Sequence, residues 1–323
     1  MKGLDCGTGN FLVANDDGVN LQRNAFLTLD SETTNVKQLK LMHVPFIQAG
    51  KRLHIVGKKA YEYAQVFNNK ELRRPMASGL LNPTEQDAFP ILKEIIKELL
   101  GKAQKDELVV YSVPGKPIDK IQEIEYHEDV LKSIIETLNF KAKSINEGVA
   151  LAYTGLADDE LTGISISLGA GMCNVAIMYA GMAALNFSTS KAGDWIDENV
   201  ARDTGTSKAK AQYIKEDGGY SLIGNADRSM EQQAVRTYYE ALIRYLLSNI
   251  AKQFESTTMP NFPKAVPIVL GGGTAMVKGF LEVFKEQFKQ KEFPMNISEI
   301  RIVEEPLTAV ARGCLIEAQL EEE

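Results

Sequence analysis

The chain is poor in the residues from which many active sites are built. Among 323 residues it has three cysteines, three histidines and one tryptophan. Cys6, Cys173 and Cys314 lack the paired spacing of a zinc site or a disulfide framework, and read as reduced cytosolic thiols. His43, His54 and His127 are isolated, which argues against a metal cluster and a histidine-based triad, and each reads as a surface or capped histidine. No run approaches the ~20 apolar residues that span a bilayer. The start, Met1-Lys2-Gly3-Leu4-Asp5, leads straight into a strand pattern, so neither a signal peptide nor an N-terminal anchoring helix is expected. A net charge of −7 disfavours nucleic acid as a partner. No Gly-Lys-Ser/Thr follows a glycine turn, which excludes a P-loop. The expectation is a cytoplasmic protein.

What the chain does have is an apolar content of 44% with 24% charged residues, the balance of a globular protein. Its length calls for two domains. Two glycine turns lie half a chain apart, Asp5-Cys6-Gly7-Thr8-Gly9-Asn10 and Ser167-Leu168-Gly169-Ala170-Gly171-Met172. Each stands between short apolar runs, so the pattern strand, glycine turn, strand is written twice. Glycines in such a turn let backbone N–H groups point into a concavity, one way of holding phosphate.

Around the first turn the pattern predicts a meander through Leu4–Cys6, Phe11–Ala14, the turn Asn15-Asp16-Asp17-Gly18, and Val19–Leu27. A further small sheet is expected from Met42–Ile47 and Leu53–Val56. Helices are expected over Lys58–Phe67, Thr84–Leu100 with Thr84 as N-cap, His127–Leu138 and Asn146–Leu156. In the second half the pattern predicts strands at Ile164–Ile166, Val175–Met178 and Met182–Phe187, and helices over Ala192–Asp203 and Ser207–Glu216. A long helix over Arg228–Phe254 carries a core stripe of Tyr238, Leu242, Tyr245, Leu246 and Ile250. Then come a strand at Val266–Leu270, a helix over Ala275–Phe288, a strand at Ile300–Val303 and a helix over Thr308–Gln319. Leu320 to Glu323 reads as a solvated tail.

Singly, each glycine turn is weak; the order of five elements is specific. Asp5 to Asn10 resembles the first phosphate loop of the actin, heat-shock chaperone and sugar-kinase superfamily, and Gly169-Ala170-Gly171 resembles the second. Asn146-Glu147-Gly148 with Ala150, Ala152 and Tyr153 looks like the first connecting helix. Leu270-Gly271-Gly272-Gly273-Thr274 looks like the adenosine motif, and Glu305-Pro306-Leu307-Thr308-Ala309-Val310-Ala311-Arg312-Gly313 like the second connecting helix. Within the superfamily the chain is most similar to MreB, the bacterial actin. Arg74 to Leu81 resembles MreB before its third helix, and Ser188 to Asp194 with Asp197 resembles the start of the smaller lobe of the second domain.

The resemblance implies an α/β fold of two related actin-like (ribonuclease-H-like) domains flanking a nucleotide cleft. The expected division is 1–150 with 304–323, including a small subdomain at about 28–60, and 151–303, including one at about 195–258. It implies ATP or ADP with Mg²⁺, the metal held by Asp5 through water. Gly7, Thr8, Gly9 and Asn10 would face the phosphates, as would Gly169, Ala170 and Gly171. Gly193, Asp194, Lys210, Gly271, Gly272, Gly273, Thr274 and Met276 would contact the rest of the nucleotide, Lys210 without the Glu and Arg that accompany it in chaperones. Glu147 matches the residue that positions the attacking water. In the second loop Ser167 and Met172 stand where the family has Asp and Thr; by this comparison hydrolysis is slowed, and Ser167→Asp should speed it. The function expected is a cytoskeletal ATPase whose filaments are polymers of the chain itself. The alternative is a monomeric chaperone-like or enzyme-reactivating ATPase, with a scaffold lacking turnover as a third reading. No exposed apolar pair in the first domain stands out as a membrane contact, and cargo and adaptor proteins are invisible in the sequence.

Overall fold

Short apolar runs broken by glycine, asparagine and aspartate become strands in this chain, and longer amphipathic runs become helices. The computed structural model describes residues 1–66, 72–216, 219–224 and 228–322. The chain divides into two units, one of residues 1–113, 123–145 and 314–323, the other of residues 114–122 and 146–313.

Unit 1 carries β1 (Lys2–Cys6), β2 (Asn10–Asn15), β3 (Gly18–Arg23), β4 (Phe26–Asp30), α1 (Val36–Leu41), β5 (Phe46–Ala49), β6 (Arg52–Val56) and α2 (Lys58–Val66). Phe67, the expected end of α2, lies outside the described residues. After these come β7 (Met76–Ala77), β8 (Leu80–Leu81), α3 (Ala88–Leu100), β9 (Leu108–Val113), α4 (Ile124–Thr137) and β10 (Lys141–Asn146). The main sheet has the order β10-β9-β1-β2-β3. Its core packs Leu4, Phe11, Val13 and Tyr111 against Ile91, Leu92, Ile95 and Ile96 of α3 and Leu131, Ile134 and Ile135 of α4. Each such side chain contributes about 1.5–3 kcal/mol by leaving water.

Several expectations need correction here. The strand after Gly18 ends at Arg23 rather than Leu27, because Asn24 turns away and β4 starts a separate sheet, β4-β6-β5. The chain from Val36 to Leu41 is helical, so β5 begins only at Phe46, and Leu41 and Met42 form an exposed apolar pair at the helix end. α3 starts at Ala88, not after Thr84. Pro90 is tolerated in a first turn, where the amides have no intrahelical partner, but would break a helix begun four residues earlier. Asp87 leaves the cap unmade, since its carboxylate accepts from His54 Nε2 at 2.9 Å and pairs with Arg52 at 3.1 Å. Neither His54 nor His127 is a surface residue. Both are buried, His54 with Thr28 Oγ1 3.0 Å from its Nδ1, His127 with the Leu81 N–H donating to its Nδ1 at 3.2 Å.

Unit 2 carries α5 (Glu147–Gly155), β11 (Gly163–Leu168), β12 (Cys173–Tyr179), β13 (Met182–Thr189), α6 (Gly193–Thr204), α7 (Lys208–Glu216), α8 (Met230–Ser256), β14 (Val266–Gly271), α9 (Phe280–Lys289) and β15 (Ile297–Ile302). The last helix, α10 (Ala309–Leu320), begins in unit 2 and ends in unit 1. The sheet order is β13-β12-β11-β14-β15. Read from the other edge, it repeats unit 1 strand for strand, with β11, β12 and β13 in the places of β1, β2 and β3. On α8 the buried stripe is Val235, Tyr239, Leu242, Leu246 and Ile250. Tyr238 instead sits edge-on to Trp195, and the Tyr245 hydroxyl donates to Asp119 at 2.8 Å. The helix expected over Ala275–Phe288 is broken into a 3₁₀ turn, Gly273–Met276, and α9, because Gly279 adopts φ 83°. Among the described residues no helix is long and apolar enough to cross a membrane.

Candidate functional site

The first glycine turn connects β1 to β2. A Cβ on Gly7 would meet the carbonyl oxygen of Asn10 at 2.7 Å, so no larger residue fits the turn. Asn24 fastens it from behind: its Nδ2 donates to the Gly7 carbonyl at 3.0 Å and its N–H to the Gly9 carbonyl at 3.1 Å. With the carbonyls taken inward, the amides of Thr8 and Gly9 have no acceptor among the described residues. The Thr8 side chain is buried and accepts from the Gly79 N–H at 2.9 Å, while Asn10 Oδ1 accepts from Arg23 Nη1 at 3.1 Å. At the end of β1, Asp5 Oδ1 accepts from Ser112 Oγ at 3.0 Å, and Ser112 in turn accepts from the Cys6 N–H at 2.9 Å. Burial of the carboxyl lifts its pKa to about 6 against the opposing pull of Ser112.

The second turn, between β11 and β12, has the same local geometry. A Cβ on Gly169 would meet the carbonyl of Met172 at 2.8 Å. Its carbonyls are also tied down, here by the N-terminus of α6. The Gly193 N–H donates to Gly169 at 3.1 Å, the Asp194 N–H to Ala170 at 2.8 Å, and Thr274 Oγ1 to Gly169 at 2.8 Å. Gly272, at φ 88°, runs so close to Leu168 that a Cβ would lie 2.4 Å from its carbonyl oxygen, and Gly271 rests on the Leu151 side chain. Gly169, Ala170, Gly193, Asp194, Gly272 and Thr274 are thus neighbours. The amides of Ala170 and Gly171 have no acceptor among the described residues.

Lys210 stands apart from this cluster, paired with Glu231 at 2.8 Å on the surface. Another lysine joins it. Lys215 Nζ donates to the Gly193 carbonyl at 2.8 Å and lies 2.9 Å from the buried carboxylate of Asp197, whose pKa burial raises to about 6. The sequence carries a faint signal for Lys215, which lies one helical turn after Ala211, the buried residue of α7. Met276 is 54% exposed, on the wall of a surface hollow of about 320 Å³ lined by Val277, Phe280, Ile302 and Pro306.

Glu147 opens α5, capped by Asn146, whose Oδ1 accepts from the N–H groups of Gly148 and Val149. Its Oε1 accepts from Ser167 Oγ at 2.6 Å and its Oε2 from Asn174 Nδ2 at 2.8 Å. Ser167 is therefore more than a missing carboxylate. Met172 is buried, with Ser188 Oγ 3.5 Å from its sulfur. Asn24, Ser112 and Asn174 escape sequence reasoning; the signal available was a lone polar residue amid an apolar strand run, as in Cys173-Asn174-Val175. For Mg²⁺ the donor set is spare, since no three histidine, cysteine or acidic side chains converge among the described residues. One half-buried carboxylate beside a hydroxyl fits an ion that keeps most of its waters.

A family model described as Volactin matches residues 1–318. No curated protein sequence shows a significant match. Among solved structures the chain is similar to the subunit of the MamK double helical filament, at 19% identity and TM-score 0.75 over 100% of this chain and 98% of that one. It is also similar to MreB5 of Spiroplasma citri bound to AMPPNP, at 16% identity and TM-score 0.70 over 99% and 96%. A third similarity is to the ethanolamine utilization protein EutJ from Carboxydothermus hydrogenoformans, at 14% identity and TM-score 0.54 over 97% and 88%. At these identities the likeness is one of fold. The chain has the actin-like α/β fold of MamK and MreB, as the order of its motifs predicts.

Proposed function

The chain belongs to the Volactin family, and from that premise we propose that it is an ATP-binding, ATP-hydrolysing cytoplasmic subunit that assembles with copies of itself into filaments. The observation that carries this reading is the pair of glycine turns, equivalent in sheet position and in the Gly7–Asn10 and Gly169–Met172 contacts. Each has two of its carbonyls engaged and two amides to spare, which suits an anion. The whole-length similarity of fold to MamK, whose subunits form a double helical filament, supports self-assembly, and the AMPPNP bound to MreB5 supports an adenine nucleotide.

In this reading the phosphates are recognised by the amides of Thr8, Gly9, Ala170 and Gly171. Gly193, Asp194, Gly272, Gly273, Thr274 and Lys215 build the wall for the rest of the nucleotide. Asp5, oriented by Ser112, would hold Mg²⁺ through water. The metal would neutralise phosphate charge, and a carboxylate that burial makes costly to ionise would gain a counter-ion. Glu147 orients the attacking water. The test is sedimentation and electron microscopy of the purified protein with ATP, ADP or no nucleotide, alongside phosphate release. Filaments that form with ATP are the expected result; absence of polymer under every nucleotide and salt condition overturns the filament reading.

A further inference from the structure

The carboxylate of Glu147 is held by a purpose-shaped piece of the unit 2 sheet. Ser167 and Asn174 are directly opposed on the antiparallel strands β11 and β12, so their side chains rise side by side from one face. α5 lies on that face at backbone contact: a Cβ on Gly148 would sit 2.9 Å from the Ala176 nitrogen, and Ser165 Oγ donates to the Gly148 carbonyl at 2.6 Å. The helix start is thereby pinned, and the two carboxylate oxygens of the preceding residue fall on the two donors. The Asn174 amide cannot present its oxygen there instead, because Oδ1 accepts from the Gly115 N–H at 2.8 Å. Ser167 and Asn174 are both fully buried, so neither donor is open to solvent.

We infer that Ser167 and Asn174 are positioning residues for Glu147, fixing its carboxylate in the direction from which it orients the attacking water. The inference rests on the ATPase reading above. It gives the serine at position 167 a task of its own. A neutral hydroxyl can hold the Glu147 carboxylate, whereas a second carboxylate at the same place would repel it. The family pattern alone suggests that Ser167→Asp should speed hydrolysis; the clamp requires the opposite.

The experiment is steady-state phosphate release as a function of ATP concentration and pH on the full chain, with nucleotide affinity measured separately from a fluorescent ATP analogue. Ser167→Ala is expected to lower kcat about tenfold while KM and the Kd of the analogue stay within twofold, since a misdirected water-orienting group weakens the reaction and not ground-state binding. Ser167→Thr, which keeps the hydroxyl, recovers most of the rate. Should Ser167→Ala fail to fold, Ser167→Cys, close in size and a weak donor, reads the same loss. Ser167→Asp is expected to be slower than the wild type, with the acid limb of its pH–rate profile moved to higher pH by two carboxylates sharing a site. Turnover in the wild type with kcat unchanged in Ser167→Ala, or raised in Ser167→Asp, overturns the positioning role alone. A wild type that binds the analogue without any turnover overturns the ATPase reading, and this inference with it.

Discussion

A Cβ placed on Gly313 would lie 1.8 Å from the carbonyl oxygen of Ala150. α10 and α5 meet there backbone to backbone, so no flexible side chain can swing aside. Gly313→Ala has to push the two helices apart, and we expect a loss of about 3 kcal/mol in folding stability. Urea denaturation followed by circular dichroism measures it; a variant as stable as the wild type would show that α10 shifts freely.

Asn24 is fully buried and donates to the Gly7 carbonyl. In Asn24→Asp that donor becomes an acceptor facing another acceptor. The turn should open, with stability falling by about 2 kcal/mol and affinity for a fluorescent ATP analogue falling at least tenfold. Asn24→Ala, which removes the bond without adding repulsion, should be milder in both assays.

Lys215 and Asp197 form an ion pair in which the carboxylate is 2% exposed. Removing one partner strands the other. Lys215→Met is expected to cost about 3–5 kcal/mol, and combining it with Asp197→Asn to recover much of that loss. Thermal melts at pH 7 give both numbers. Because burial already raises the Asp197 pKa to about 6 and Lys215 restrains it, the single variant should also regain stability as pH falls toward 5.

His127 is buried, and burial lowers its pKa to about 4. The unfolded chain takes up a proton on this ring near its ordinary value of about 6.5, the folded chain only near 4. Its contribution to stability is therefore complete above pH 6.5 and is lost as pH falls from there to about 4, amounting to about 3 kcal/mol. Asp5 and Asp197, whose pKa values are raised to about 6, act in the opposite sense over part of this range. His127→Asn keeps an acceptor for the Leu81 N–H and removes the titration. The difference in unfolding free energy between wild type and variant should shrink steadily between pH 7 and pH 4.5; a constant difference would show that the ring takes up its proton at the same pH in both states.

Local signals carried the regular elements. The Asn15–Gly18 turn, the apolar run Phe11–Ala14 of β2 and the helix that opens at Asn146 are properties of a few adjacent residues, and each stands where the pattern puts it. Errors came where a distant partner outbid a local preference. Asp87 serves His54 and Arg52 rather than the helix start, and Asn24 serves a turn formed by Gly7 and Gly9. Lys210 and Lys215 are both lysines of one short helix, and only the packing of α6 against α7 decides which of them is buried.

By itself the sequence determined the repeated strand–turn–strand pattern, the glycines that a close turn demands, and the family's order of motifs. These are written in residue types at short spacing, and steric rules act on them locally. Only the tertiary structure decided what the odd residues in the second turn do. Ser167 and Asn174 are seven positions apart and Glu147 lies twenty before Ser167. The β11–β12 register and the seating of Gly148 on Ala176 bring the three together, and hydrogen bonds depend on that proximity, not on order along the chain.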